Sequence, residues 1–147
     1  MAINSKIKVL RDNLKTQLSA RSGLSGVDIF KFPPADGAPK TEFIFFGDAS
    51  SNMDFETFGK TYEEDLELSV FVYCLKPGAG DTVAGSAQDR ALTLAQEVID
   101  ELADDSTVNN AVLVSKVRNL NLENGLSDEG RFCQIEMQID ATAILSE

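Results

Sequence analysis

Histidine and tryptophan are both absent from this 147-residue chain. Without histidine there is no Ser-His-Asp or Cys-His nucleophile pair and no histidine general base, which removes most hydrolase designs. With no tryptophan and two tyrosines, a site that stacks a sugar or a nucleobase has little to be built from. Two cysteines, Cys74 and Cys133, cannot form an ordinary structural zinc site in a chain without histidine. Each lies in an alternating pattern among apolar neighbours and reads as a buried free thiol. A disulfide would need their two strands to be adjacent and in register, and nothing in the sequence asks for an oxidising compartment. No span approaches 18 apolar residues, so no membrane helix is expected. Met1–Leu10 has no apolar run after a basic start, so no signal peptide is expected either. The chain reads as cytosolic, without cofactor or metal, and not as an enzyme.

Positive charge is also scarce. Thirteen Lys and Arg face 24 Asp and Glu, a net charge of −11. Residues 1–40 carry seven basic and three acidic groups, a net of +4, whereas residues 41–147 carry six and 21, a net of −15. Phosphate binding needs Lys and Arg to displace counterions, so a tight nucleic-acid binder is not expected, whereas a surface that DNA slides past is compatible with this charge. Hydrophobic residues at 43% and charged residues at 25% are globular values. One domain spanning residues 1–147 is expected, with no internal repeat and no linker.

The stretch Tyr62–Ala103 organises the rest. Leu66, Leu68, Val70, Val72 and Cys74 fall on every second position, the period of a strand with one buried face. After a Pro77–Gly80 break, Ala87, Ala91, Leu94, Ala95, Val98, Ile99 and Leu102 form the stripe of an amphipathic helix. Asp81, Thr82 or Ser86 is expected to cap it. The loop Pro77–Gly85 lies where phosphate loops occur but has neither a Gly-Lys-Ser/Thr ending nor GxGxxG.

Upstream, Ile3, Ile7, Leu10, Leu14 and Leu18 mark a first helix over about Ile3–Ala20, closed near Ser22-Gly23 by a left-handed glycine. Its basic side, Lys6, Lys8, Arg11 and Lys15, is either a solvated face or one that meets an acidic patch on another copy or partner. Val27–Phe32 and Thr41–Phe46 read as strands around a proline-rich loop, Pro33–Lys40. An irregular arm follows at about residues 47–61. Its Met53, Phe55 and Phe58 sit either on a plain hairpin extension or on a contact with another subunit. The run Glu63-Glu64-Asp65 reads as a solvated strand start, because neighbours along a strand point to opposite faces and cannot converge on one ion.

Downstream of the second helix, Ala111–Val117 is apolar enough for an interior strand, and strand, helix and strand together imply a parallel, right-handed crossover. The pattern changes phase around Lys116–Leu120, the mark of a bulge or of a strand running past the sheet. Asn124-Gly125 signals a turn, continued by LSDEG with Asp128 and Glu129. The last strand alternates Cys133, Ile135, Met137, Ile139, Ala141 and Ala143 with Gln134, Glu136, Gln138, Asp140 and Thr142. Glu136 and Asp140 lack the apolar pocket that would raise one carboxyl for glycosidase-type chemistry. The expected class is α/β (α+β): a single mixed, mainly antiparallel sheet of about five strands with two helices on one face, in the order α-β-β-(arm)-β-α-β-β.

That order, with TYEEDLELSVFVYC, AQDRALTLAQEVIDELADD, VLVSKVRNL and GRFCQIEMQIDATAIL carrying it, resembles the tail terminator proteins of long-tailed bacteriophages, also called tail-completion or head-tail joining proteins. The resemblance covers most of the chain and rests on pattern, with no invariant motif. It implies a structural virion protein at the head-tail junction, assembled in the host cytoplasm as a hexameric ring. Such a ring caps the tail tube, ends its elongation and meets the neck. The implied partners are further copies of the chain, the major tail tube protein and a head-completion or neck protein, with genomic DNA passing through an acidic lumen and no membrane involved. No catalytic residues come with the family. Subunit or partner contacts are then expected at Lys6, Lys8, Arg11 and Lys15, at Met53, Phe55 and Phe58, and at Asp128 and Glu129. The competing readings are another neck or tail ring, such as a head-completion connector or a tail tube protein, and a cytosolic small-molecule-binding α/β domain.

Overall fold

Alternating apolar residues build two long strands that pair along their whole length, and the rest of the molecule is laid against them. The computed structural model of the protein describes residues 4–35, 41–55 and 61–146. In chain order the elements are α1 (Ile7–Ala20), a 3₁₀ turn (Ser22–Leu24), β1 (Asp28–Phe30), β2 (Glu42–Phe55), β3 (Thr61–Lys76), α2 (Asp81–Asp104), β4 (Val114–Ser127) and β5 (Gly130–Ser146). The five strands form one sheet in the order β1-β2-β3-β5-β4. β1 runs parallel to β2 and the other pairs are antiparallel. The fold is thus the expected α+β class, two helices and a mixed, mainly antiparallel five-stranded sheet.

The central pair is β3 with β5, in register from Thr61↔Ser146 to Lys76↔Arg131. Leu66, Leu68, Val70, Val72 and Cys74 point into the core beside Cys133, Ile135, Met137, Ile139 and Ala141. The stripe of α2 and Leu10, Leu14 and Leu18 of α1 complete that core. A fully buried leucine contributes roughly 1.5–3 kcal/mol, so these three anchor α1 even though the side chain of its N-cap residue, Lys6, makes no capping bond. Cys74 and Cys133 are free, buried and directly opposite each other.

β3 and β4 both run antiparallel to β5, so they run parallel to each other with β5 between them. The crossover through α2 therefore joins strands that are not neighbours. β4 is an edge strand, not the interior strand expected. The apolar residues behind that expectation, Ala111 and Val112, are buried with Val108 in the loop before β4 and close the core from there. The phase change is a bulge: register slips between Val117 and Asn119, leaving Arg118 as the extra residue.

Several local expectations are corrected. Residues 4–6 are not helical, and Ile3 lies outside the described residues, so α1 begins at Ile7. Its end uses no left-handed glycine. Arg21 is extended, Gly23 belongs to the 3₁₀ turn, and the positive φ of +82° is at Gly26. Gly23 instead leaves room for the Glu97 carboxylate, which a Cβ there would displace. α2 starts at Asp81 behind Gly80, and neither Asp81, Thr82 nor Ser86 caps it. Asn124-Gly125 is not a turn but part of β4, paired with Cys133 and Phe132. The hairpin turns at Asp128-Glu129 and closes on Gly130 (φ +142°), where any Cβ would strike the Lys76 carbonyl. Gly125 instead leaves room for the Phe132 ring lying across it. The segment read as an irregular arm is regular β-structure as far as Phe55: β2 continues past a slip between Phe46 and Ala49 and pairs with β3 out to Phe55↔Tyr62.

Candidate functional site

Among the described residues, one face of the sheet carries the helices and the other is open. Along the open face, at the end of β3 nearest α2, Phe30, Phe43 and Tyr73 form a row that continues to Phe132 over Gly125. Phe45 stacks on Phe71 in the next row, with ring centroids 4.8 Å apart. These rings are half-buried, sheltered by one another instead of by a second layer. Farther along the strands the face turns acidic. Asp54, Glu63, Asp65, Glu67 and Asp140 lie there with Lys116 and Arg118, while Glu123 and Glu136 flank the two aromatic rows from β4 and β5. Arg118 is already held by Glu67 at 3.7 Å and Asp140 at 3.5 Å. The face therefore presents uncompensated negative charge.

The basic side of α1 is not one uniform patch. Lys6 precedes the helix, and its backbone N–H donates to Glu64 at 2.8 Å. Lys8 is exposed and pairs with Asp12 at 2.8 Å, an interaction that raises its pKa. Lys31, just past β1, reaches the other Asp12 oxygen at 3.0 Å. Together the two ammoniums pull the Asp12 carboxyl below its usual range. The Arg11 guanidinium donates to the carbonyls of Lys31 and Gly47, 2.7 Å each, and lies over the Phe32 ring. Its partial burial lowers its pKa. Lys15 is half-buried on the same side of α1. Ile7, Lys8, Arg11, Lys31, Phe32 and Ala49 line a groove of about 570 Å³ between α1 and β2.

The other expected contact residues lie elsewhere. Met53 is exposed near the far end of the β2–β3 hairpin. Phe55 ends β2 opposite Tyr62, and Phe58 is outside the described residues. Asp128 and Glu129 are exposed at the tip of the β4–β5 hairpin, at the opposite end of the strands. Those of them among the described residues are thus dispersed over three regions and share no common pocket.

Three charged arrangements escaped the sequence reading. Glu64, expected to be solvated, is fully buried. It shares the face of Leu66 and Leu68, and residues Ser5 and Lys6 fold over it. Its carboxylate accepts from the Ser5 and Ser51 hydroxyls, 2.5 Å each, and from the Lys6 N–H. Arg21 clasps Glu97, Glu101 and Asp104 of α2 and lies 4.0 Å from Asp100, and this company raises its pKa. Glu42 accepts from both Nε and Nη2 of Arg90, at 2.9 and 3.1 Å, and is held below its usual pKa. Beside it, burial pushes the Cys74 thiol up to about 11, so the thiol is protonated and unreactive at neutral pH. The runs of acidic residues were visible in sequence, but which cation each would meet depends on pairs 48 to 83 positions apart.

Among the described residues no group of three or more His, Cys, Asp or Glu is placed to hold a metal ion, and no helix is long and apolar enough to cross a membrane. No protein-family model matches the chain, and no curated protein matches it. Among solved structures the chain is similar to a chain in the virion of a native gene transfer agent particle, with 16% identity, a TM-score of 0.45, and 90% of this chain and 92% of that one covered.

Proposed function

We propose that this protein is a structural virion component of the tail terminator type. A ring of its copies, hexameric in the family it resembles in sequence, caps the tail tube, ends tail elongation and joins the tail to the head or neck. The observation that carries this reading is the open sheet face. Long strands, a half-buried aromatic end and an acidic remainder make a surface suited to assembly and unsuited to gripping nucleic acid. DNA carries one negative charge per roughly 1.7 Å of helix axis. Facing inward, such a surface repels it and lets the genome pass. The protein acts through its contacts with other copies, the tail tube protein and the neck protein, with no chemical step and no bound cofactor. Its place is the virion, at the head-tail junction, and its single domain is assembled there from the host cytoplasm.

The test is the mass of the purified protein by light scattering across concentrations, with negative-stain imaging. A closed ring, or a monomer that closes only on tail tubes, is the expected result. Open-ended filaments would assign it instead to the tube. A monomer or dimer indifferent to tubes would refute the assembly role.

A further inference from the structure

The groove beside α1 and the β4–β5 hairpin tip are complementary in charge and in apolarity, and they lie on opposite edges of one sheet. The groove has an apolar wall of Ile7, Phe32 and Ala49, with Phe32 60% exposed. On its rim Lys8 and Lys31 share the single carboxylate of Asp12, which leaves a positive charge uncompensated between them. Arg11 spends its donors on the Lys31 and Gly47 carbonyls and so fixes the groove's shape. The hairpin tip carries the reciprocal set: Leu126, 57% exposed, followed within three residues by exposed Asp128 and Glu129. The groove borders the β1–β2 edge and the tip belongs to the β4 edge. They are separated by roughly 20 Å across the sheet and roughly 25 Å along it, from strand spacing and rise. A subunit's own tip cannot reach its own groove.

We infer that the β4–β5 hairpin tip of one copy docks in the α1–β2 groove of the next, with Leu126 against Phe32 and Ile7, and Asp128 and Glu129 against Lys8 and Lys31. Groove and tip are different surfaces, so the contact is head-to-tail, and repetition of one rotation closes a ring or extends a filament. This rests on the assembly reading above and adds which surfaces meet.

Sedimentation velocity of the full chain, alone and with tail tubes, tests it. Lys8→Glu/Lys31→Glu and, separately, Asp128→Lys/Glu129→Lys each weaken self-association at least tenfold, and the quadruple variant, with charges exchanged, recovers it. Lys8→Gln/Lys31→Gln, which does not surround Asp12 with like charge, shows a smaller loss of the same sign, and circular dichroism verifies that every variant is folded. A wild type that assembles while both charge-reversed proteins assemble equally well overturns the contact and leaves the assembly role standing. A wild type that never assembles, with or without tubes, overturns both.

Discussion

The burial of Glu64 makes a demanding prediction, because a buried carboxylate is stable only as long as its donors stay in place. Its three donors come from two directions, Ser5 and Lys6 before α1, and Ser51 on β2. In Glu64→Ala the two hydroxyls can turn to water, but the Lys6 N–H loses its acceptor. Hydrogen bonds to a charged group are worth about 1.5–3 kcal/mol each, offset by release from the cost of burying the charge, so the net loss should be about 3 kcal/mol. Glu64→Gln keeps an acceptor for Lys6 and asks the hydroxyls to accept instead of donate, at about 1.5 kcal/mol. Urea titration should show lower midpoints with unchanged slope, and hydrogen exchange at the Lys6 amide should accelerate in Glu64→Ala alone. If Glu64→Ala fell within about 0.5 kcal/mol of wild type, a range typical of exposed surface changes, the reasoning would be refuted.

Gly130→Ala should cost more than about 2 kcal/mol, since its positive φ and the Lys76 carbonyl leave no relief, whereas Gly125→Ala need only tilt the Phe132 ring and should cost less; thermal melts rank the two. The Asp105 carboxyl, held down to about 2 from an ordinary 3.8 by Thr107, the Asn109 N–H and Gln17, contributes stability that is complete above its unfolded value and lost as pH falls through about 2. Asp105→Asn should therefore flatten the stability profile between about pH 5 and 2, and an unchanged profile would contradict this. Arg21→Ala leaves the carboxylates of α2's last turns facing one another, so its denaturation midpoint should drop, and the drop should shrink as salt screens the repulsion. A salt-independent loss would mean that packing and not charge is what Arg21 supplies.

The parts of the fold legible in the sequence are those whose environment is one-sided along the chain. β3 and β5 alternate because each has a helix-covered face and an open one, and α2 shows its stripe for the same reason. The outer half of β2 gave no such signal: Ser50, Ser51, Asn52 and Asp54 are all exposed, so polar residues fall on both faces of the strand. β4 was placed too early because Ala111 and Val112 serve the core from a loop, while the edge strand itself is wet. Asn124-Gly125 carries a strong local turn signal, yet the glycine is used to seat a ring across the strand pair, a demand that comes from Phe132. The groove was half visible. Lys8 and Arg11 stood out by their spacing on α1, but Lys31 and Phe32 join them only because β1 turns back beside that helix. Glu64 was misjudged because nothing near it in sequence reveals that residues 58 positions earlier will cover it.

The most direct test of the central claim is the length of tail tubes grown from their purified subunits in the presence of increasing amounts of this protein. The account predicts that added protein binds one end of each tube, visible as a terminal ring, and halts growth so that mean length falls as its concentration rises. Tubes that elongate unaffected, or that incorporate the protein along their length, would contradict it.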